Sequence, residues 1–269
     1  MKEVNSYGWK AVIGSSIGYA MDGFDLLILG FMLTLISGDL GLTTGQAGSL
    51  VTWTLVGAVL GGFIFGTLSD KFGRVRVLTW TIVLFAVFTG LCAFAQGYWD
   101  LLIYRTIAGI GLGGEFGIGM ALAAEAWPAK HRAKATSYVA LGWQLGVLAA
   151  ALLTPLLIPI IGWRGMFMVG IIPALVAWVF RAKLHEPEIF VQSKEAKEHS
   201  HTNSFKLLVK DVRTTKTSIG VAILTSVQNF GYYGIMIWLP NFLSKQLGFS
   251  LTKSGLWTAV TVCGMMVGI

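Results

Sequence analysis

Between two long apolar runs, residues 49–69 and 77–96, the chain reads GTLSDKFGRVRVL (residues 66–78). A helix that crosses a bilayer needs roughly 20 mostly apolar residues, and each flanking run meets that length. The short stretch between them is rich in charge, from Asp70 to Arg76, and its basic residues are typical of the cytoplasmic side. The stretch therefore predicts a tight cytoplasmic turn between two membrane-spanning helices.

The whole composition agrees with a membrane protein. The chain has 269 residues, of which 55% are hydrophobic and only 12% are charged, and its mean hydropathy is +0.70. Soluble domains average about 25% charged residues, so a large soluble protein is excluded. Seven runs long enough to span lie near residues 11–36, 49–69, 77–96, 101–124, 136–160, 164–182 and 218–240, and an eighth starts near Gly255. We therefore expect an all-α, polytopic membrane protein.

The net charge of +7 reflects membrane topology. If the N-terminus is cytoplasmic and the spans alternate, 16 of the 20 Lys and Arg residues fall in cytoplasmic segments. This count includes Arg181, at the end of the sixth run. Arg105, in the fourth run, is the basic residue left inside a span. The distribution follows the positive-inside rule and argues against a nucleic-acid partner.

The residues indicate no enzyme, metal site or cofactor. Cys92 and Cys263 both lie in apolar runs, and no zinc spacing or Cys/His catalytic set accompanies them. Gly109, Gly111 and Gly114 form a G-x-G-x-x-G, but it lies inside a predicted span and does not follow a strand, as a dinucleotide site would require.

Glycines four residues apart predict close helix packing. The fourth run carries Gly109, Gly113 and Gly117. The same spacing recurs in the second and fifth runs, at Gly57/Gly61, Gly62/Gly66 and Gly142/Gly146.

An internal repeat divides the chain. LGLTTGQAG (residues 40–48) and LGFSLTKSG (residues 247–255) align without gaps at an offset of 207 residues. We therefore expect a six-helix bundle at 1–182, a cytoplasmic linker at 183–217 and the start of a second bundle at 218–269. Within the linker, SFKLLVKDV (residues 204–212) is amphipathic and predicts an interfacial helix.

Membrane-embedded charges mark the candidate site. MDGFD (residues 21–25) places Asp22 and Asp25 midway through the first span, and Glu115 lies near the middle of the fourth. Ionised side chains at that depth are expensive and indicate function. We count three embedded acids against one base, Arg105, so at least one acid should be protonated near neutrality. Arg105 lies nearer the outer face and could reach Asp25 only by bending toward the membrane centre. The competing interpretation is a set of structural acids, hydrogen-bonded to neighbouring helices.

The 66–78 stretch resembles the signature loop of the major facilitator superfamily. The matching positions are Gly66, Asp70, Lys71, Gly73, Arg74 and Arg76. The elements DGFD, GGEFG, EAWP and GWRGMF extend the likeness to the sialate/proton symporter-like branch, which is related to monocarboxylate and aromatic-acid/proton symporters. That superfamily has twelve or more spans, so the resemblance implies that this chain corresponds to part of a longer transporter.

The resemblance implies proton-coupled import of an organic anion, such as sialic acid or another carboxylate, by alternating access. It implies coupling or substrate roles for Asp22, Asp25, Arg105 and Glu115. It implies a cytoplasmic gate at Gly66, Asp70, Lys71, Gly73, Arg74, Arg76, Glu125 and Arg132.

The expected partners are a small organic anion, protons and lipid, and the expected location is a bacterial cell membrane, with the N-terminus in the cytoplasm. The sequence does not determine the oligomeric state, and a monomer is the simplest expectation. Three alternatives stay open: a proton/drug antiporter, a sugar porter, and a truncated remnant that does not transport. The fifth run lacks the Gly-Pro pair of many antiporters, which counts against export.

Overall fold

The computed structural model describes residues 6–181, 184–186 and 209–268. Within these ranges the chain forms eight α-helices, a short 3₁₀ turn (Ala129–His131) and no strand. The helices are α1 (Ser6–Leu40), α2 (Thr44–Phe72), α3 (Arg74–Cys92), α4 (Tyr98–Glu125), α5 (Arg132–Arg181), α6 (Val212–Met236), α7 (Leu239–Leu247) and α8 (Leu251–Val267).

The predicted spans are confirmed for the first six runs. In the described residues, five helical segments are long and apolar enough to cross a membrane, and they correspond to α1 to α4 and the segment Ala129–Arg181. The last contains two runs, because Gly162 interrupts α5 with φ 62° and ψ −177°. Residues with a side chain rarely adopt such a positive φ, so glycine permits the break. The two arms of α5 are the fifth and sixth runs.

The seventh run is divided differently from the prediction. α6 starts at Val212, capped by Asp211, whose pKa is held below its ordinary value by hydrogen bonds from Thr214. It ends at Met236, and the remaining residues of the run begin the separate short helix α7. Most of α6 is exposed, and Met236 is its one buried residue.

Glycines bring α2 and α4 into backbone contact, as predicted for most of the series. A Cβ on Gly61 would lie against the carbonyl oxygen of Ile110, and one on Gly113 against that of Ala58. The pair Gly142/Gly146 likewise packs α5 on the backbone of α1.

The prediction is wrong for Gly66 and Gly117. Among the described residues, nothing lies within 4 Å of a Cβ built on either one. Gly66 follows Gly61 by five residues, which turns it about 140° away from the contact face. Gly117 is on the same face as Gly113, but α2 and α4 have separated at that depth, where Gly62 is no longer in tight contact.

The internal repeat has the same local geometry in both copies. α1 ends at Leu40 and α7 at Leu247, and the glycines that follow, Gly41 and Gly248, have φ of 63° and 65°. Two residues later, Thr43 caps α2 and Ser250 caps α8 through side-chain oxygens. Equivalent residues 207 positions apart therefore build the same turn.

The helices after the linker meet the N-terminal bundle mainly at one end. Thr34, near the end of α1, donates to the Asn241 side chain over 3.3 Å. The backbone of Ile237 packs on Gly30, and Gly255 of α8 packs against the Ala151 carbonyl of α5. The N-terminal part of α6 is exposed, so the contacts of α6 with the N-terminal bundle are confined to its C-terminal part.

The linker lies largely outside the described residues. Residues 187–208, including most of SFKLLVKDV, belong to that part, so the interfacial helix stays a prediction. The division into bundles at 1–182 and 218–269 also stays a prediction.

Candidate functional site

Asp25 of α1 and Arg105 of α4 form a buried ion pair. The two guanidinium nitrogens of Arg105 donate to the two oxygens of Asp25, over 2.9 and 2.7 Å. The side chains are 0% and 1% exposed. Two parallel, charge-assisted hydrogen bonds make this a strong and directional contact. The Arg105 side chain does reach the membrane-centre acid, as its length permits.

Glu115 of α4 has a second arginine partner that the sequence analysis missed. Arg181, the last residue of α5, donates to both Glu115 oxygens over 2.7 and 2.6 Å, and both side chains are buried. The count of three embedded acids against one base is therefore wrong. Arg181 was assigned to the cytoplasmic segment because it ends an apolar run, but its side chain turns back into the bundle.

The Arg181–Glu115 pair ties four helices together. Arg181 also donates to the carbonyl oxygens of Gly14 in α1 and Leu78 in α3, over 3.3 and 3.4 Å. Thr81 of α3 donates to Glu115 over 2.8 Å. Gly18 leaves room for the pair, because a Cβ there would overlap both the guanidinium and the carboxylate.

Asp22 is the one embedded acid without a partner among the described residues. It is 0% exposed, and neither carboxylate oxygen has a hydrogen bond. The side chains of Glu115, Arg181 and Asp25 are close enough to interact electrostatically with the Asp22 carboxyl group. A fully buried carboxylate that is ionised and has no protein partner is very unfavourable, so this site favours a carboxyl that carries a proton.

Aromatic rings line the region next to Asp22. Tyr19 of α1 and Phe116 of α4 lie 5.7 and 5.4 Å from Trp143 of α5, measured between ring centroids. On the facing helix α6, Tyr232 and Tyr233 lie 6.3 and 6.2 Å from Trp143. The Trp143 indole donates to the Tyr232 hydroxyl over 2.7 Å. This aromatic wall spans the boundary between the N-terminal bundle and α6.

The predicted cytoplasmic cluster forms in part. Arg74 donates to Asp70 over 2.6 Å, to Ser69 over 2.7 Å and to Glu125 over 3.3 Å. These contacts join the turn between α2 and α3 to the end of α4. Asp70, Arg74 and Glu125 are therefore brought together.

The remaining predicted gate residues do not join this cluster. Arg132 starts α5 with an exposed side chain and makes no ion pair with any described residue. The Lys71 and Arg76 side chains are exposed, and Lys71 lies over the ring of Phe72, 5.4 Å from its centroid. Gly73 has a φ of 112°, which ends α2 and lets α3 begin at once.

Glu186 completes this end of the bundle, and the sequence analysis missed it. Its carboxylate accepts hydrogen bonds from the backbone N–H groups of Arg74, Val75 and Arg76, over 2.7, 3.3 and 3.1 Å. The first N–H groups of a helix have no partner within the helix, and a negative charge suits that end. Glu186 lies 110 to 112 residues from the three residues whose N–H groups it accepts from. Only the EPE sequence after the sixth run could have suggested this contact, and that signal is weak.

The comparisons agree with this architecture. The sequence profile described as Major Facilitator Superfamily matches residues 15–269. The chain belongs to the major facilitator superfamily. It is a transporter-family membrane protein and not an enzyme.

Relatives of this superfamily member match nearly its whole length. It is 79% identical over 272 residues to a Haemophilus influenzae protein named "Putative metabolite transport protein", covering 99% of this chain and 67% of the relative. It is 33% identical over 270 residues to the cis,cis-muconate transport protein of Acinetobacter baylyi, covering 98% of this chain and 65% of that protein. The chain thus spans about two thirds of the length of these relatives.

A solved structure has the same fold. A crystal structure of a D-xylose–proton symporter aligns with a TM-score of 0.75 and 23% identity, covering 96% of this chain and 66% of the other. The likeness shows the major facilitator fold.

Proposed function

We propose that the protein is a secondary active transporter that imports an organic anion together with protons, across a bacterial cell membrane, by alternating access. The observation that carries this proposal is Asp22 beside the Asp25–Arg105 pair: it is fully buried and has no partner within residues 6–181, 184–186 and 209–268. One group there can hold a proton, and the neighbouring guanidinium can pair with an anion. These are the two properties that coupled import of an anion requires.

The substrate carboxylate would compete with Asp25 for Arg105. In the present state Asp25 satisfies the Arg105 fork, so an arriving carboxylate must displace it or share the guanidinium. A buried cation left without a partner is strongly unfavourable. Binding of the anion is therefore linked to the charge state of the α1 acids.

The aromatic wall favours a planar, unsaturated carboxylate over a polyhydroxylated one. Rings offer flat apolar faces, whereas a sugar acid such as sialic acid needs many hydrogen-bond partners. The relative from Acinetobacter baylyi is named for cis,cis-muconate, a conjugated dicarboxylate. We therefore place muconate-like acids first and sialic acid second.

The arrangement of helices supports an inward-open state. The contacts Thr34–Asn241 and Gly30–Ile237 close the end that is external if the N-terminus is cytoplasmic. The exposed part of α6 borders the open end, where the Arg74 cluster also lies. Transport would open the first set of contacts and bring the cytoplasmic ends together.

The test uses proteoliposomes that contain the protein encoded by the complete gene, with labelled cis,cis-muconate, benzoate and sialic acid as probes. An inside-alkaline pH gradient should drive accumulation of muconate, and a protonophore should abolish it. Asp22→Asn should lose accumulation, by at least about tenfold, while exchange of internal for external muconate continues. Asp39→Asn is the matched control, because Asp39 forms an exposed pair with Arg164 away from the site.

Three results would contradict the proposal. Uptake of none of the probes would rule out the organic-anion assignment. Efflux driven by the same gradient would indicate an antiporter. Normal accumulation in Asp22→Asn would remove Asp22 from the coupling step.

A further inference from the structure

A stripe of small residues on α1 connects Asp22 to the Arg181–Glu115 pair. Gly14, Gly18 and Asp22 follow at intervals of four residues, so they share one face of the helix. The Arg181 guanidinium donates to the carbonyl oxygen of Gly14. The guanidinium and the Glu115 carboxylate both lie against Gly18. Asp22 is the next position along this face, about 6 Å further along the axis.

We propose that Arg181 is shared between two acids and moves from Glu115 to Asp22 when the proton leaves Asp22. This inference rests on the proposed function and extends it, because it names the route by which the proton leaves the site. In the structure, Arg181 pairs with Glu115, and Asp22 has no partner in the part of the chain that the structure describes. In the second arrangement Arg181 pairs with Asp22, and Glu115 holds the proton.

The proposed step conserves charge within the trio. Before the step, Asp22 is a neutral acid, Arg181 is a cation and Glu115 is an anion. The O–H bond of Asp22 breaks, the proton binds a Glu115 oxygen, and Arg181 stays protonated throughout. The sum is zero before and after, so the proton moves without leaving an uncompensated charge in a region of low dielectric, which would be strongly unfavourable.

The geometry allows Arg181 to change partner. Gly14 and Gly18 carry no side chain, so neither of these α1 positions places a side chain between the guanidinium and Asp22. The Arg181 Nε has no hydrogen bond to any residue that the structure describes. The Nη1 and Nη2 atoms make long hydrogen bonds to the carbonyl oxygens of Leu78 and Gly14, over 3.4 and 3.3 Å. To change partner, Arg181 must mainly break its two hydrogen bonds to Glu115.

The groups around Asp22 define what else could take part. Asp25, also on α1, interacts electrostatically with Asp22, but both Asp25 oxygens accept hydrogen bonds from Arg105. Tyr19 from α1 and Tyr233 from α6 lie within electrostatic range, and both are neutral phenols at physiological pH. Arg181 is therefore the cation best placed to receive an ionised Asp22.

The test is infrared difference spectroscopy of the purified protein in lipid across a pH titration, which needs no substrate. The wild type should show a protonated-carboxyl band that is absent in Asp22→Asn. In Glu115→Gln, Arg181 has no competing acid and should pair with Asp22. The band should then vanish at pH values at which the wild type keeps it, and Asp39→Asn should titrate as the wild type does.

A second measurement tests the same exchange of partners through stability, and a Glu115→Gln variant that fails to fold would count against the proposal. If Asp22 becomes the partner of Arg181, the free energy of unfolding of Glu115→Gln should be close to that of the wild type. The double variant Glu115→Gln with Asp22→Asn should be far less stable than the sum of the two single changes predicts. Additive effects, or an unchanged carboxyl band in Glu115→Gln, would overturn the shared-arginine proposal.

The outcomes separate this inference from the proposed function. If Asp22→Asn loses muconate accumulation while Glu115→Gln accumulates muconate normally, the transporter assignment stands and the route through Glu115 is wrong. If the wild type accumulates none of the three probes, the proposed function itself fails, and the carboxyl-band experiment still tests the shared arginine because it needs no substrate.

Discussion

At the scale of single residues, the structure sorts the embedded acids by their partners. Asp25 and Glu115 each face an arginine fork, and Asp22 faces none among the described residues. Three carboxylates of similar depth therefore have different chemistry. A buried acid held by two hydrogen bonds from an arginine is stabilised as an anion, whereas one without partners is favoured as a neutral acid.

Glu186 is a second residue whose partners define its role. Its carboxylate covers three N–H groups at the start of α3. We expect Glu186→Ala to lower the free energy of unfolding by about 1–2 kcal/mol, the range of helix caps. Glu186→Gln keeps an acceptor and loses the charge, so it should have a smaller effect.

Denaturation of the protein in detergent, followed by circular dichroism, measures both variants. If the alanine variant is as stable as the wild type, water forms hydrogen bonds with the N–H groups at the start of α3 as favourably as Glu186 does.

At the scale of helices, the backbone contact between α2 and α4 depends on position as well as on residue type. Gly113 and Gly117 lie on one face of α4, one turn apart. A Cβ on Gly113 would overlap the Ala58 carbonyl, whereas a Cβ on Gly117 meets no described residue within 4 Å. The same sequence spacing therefore has a packing role at one position and not at the next.

This difference predicts opposite outcomes for one chemical change. Gly113→Ala should force α2 and α4 apart and destabilise the protein by about 1–3 kcal/mol, the range for overpacked contacts. Gly117→Ala should be neutral or slightly stabilising, since alanine favours the helix. Thermal unfolding of both variants under the same conditions decides the matter, and equal shifts would contradict the proposed packing.

At the scale of the whole molecule, the contacts between the N-terminal bundle and α6 to α8 concentrate at one end. If alternating access operates, these contacts must open during every transport cycle. Thr34 and Asn241 form a side-chain contact across this boundary, with 3.3 Å between the two oxygens. A cross-link between these two positions would keep the boundary closed.

We expect Thr34→Cys with Asn241→Cys, bridged by a short cleavable thiol reagent, to stop muconate uptake. Cys263 is replaced by serine in this background, and the buried Cys92 is kept. Cleavage of the bridge should restore uptake, and each single cysteine variant should be insensitive. Undiminished uptake after complete bridging would show that this end does not open.

Local features of the chain were readable from the sequence because they depend on neighbouring residues. The apolar runs predicted the six spans up to Arg181. The sequence match at an offset of 207 residues predicted an internal repeat, and Gly41 and Gly248 have similar φ angles in its two copies. The turn at residues 66–78 identified the family that the profile match shows. Capping, turns and span length are all set within a few residues of chain.

Only the tertiary structure decided which charges meet. α1 is apolar on every side, so its sequence does not indicate which face Asp22 or Asp25 presents to α4. Arg181 is 66 residues from Glu115, and Glu186 is 112 residues from Arg74, so each pairing depends on how whole helices are rotated and packed. In a bilayer that rotation is set by backbone contact at glycines and by buried ion pairs, and hydrophobic periodicity contributes little because lipid and protein interior are both apolar.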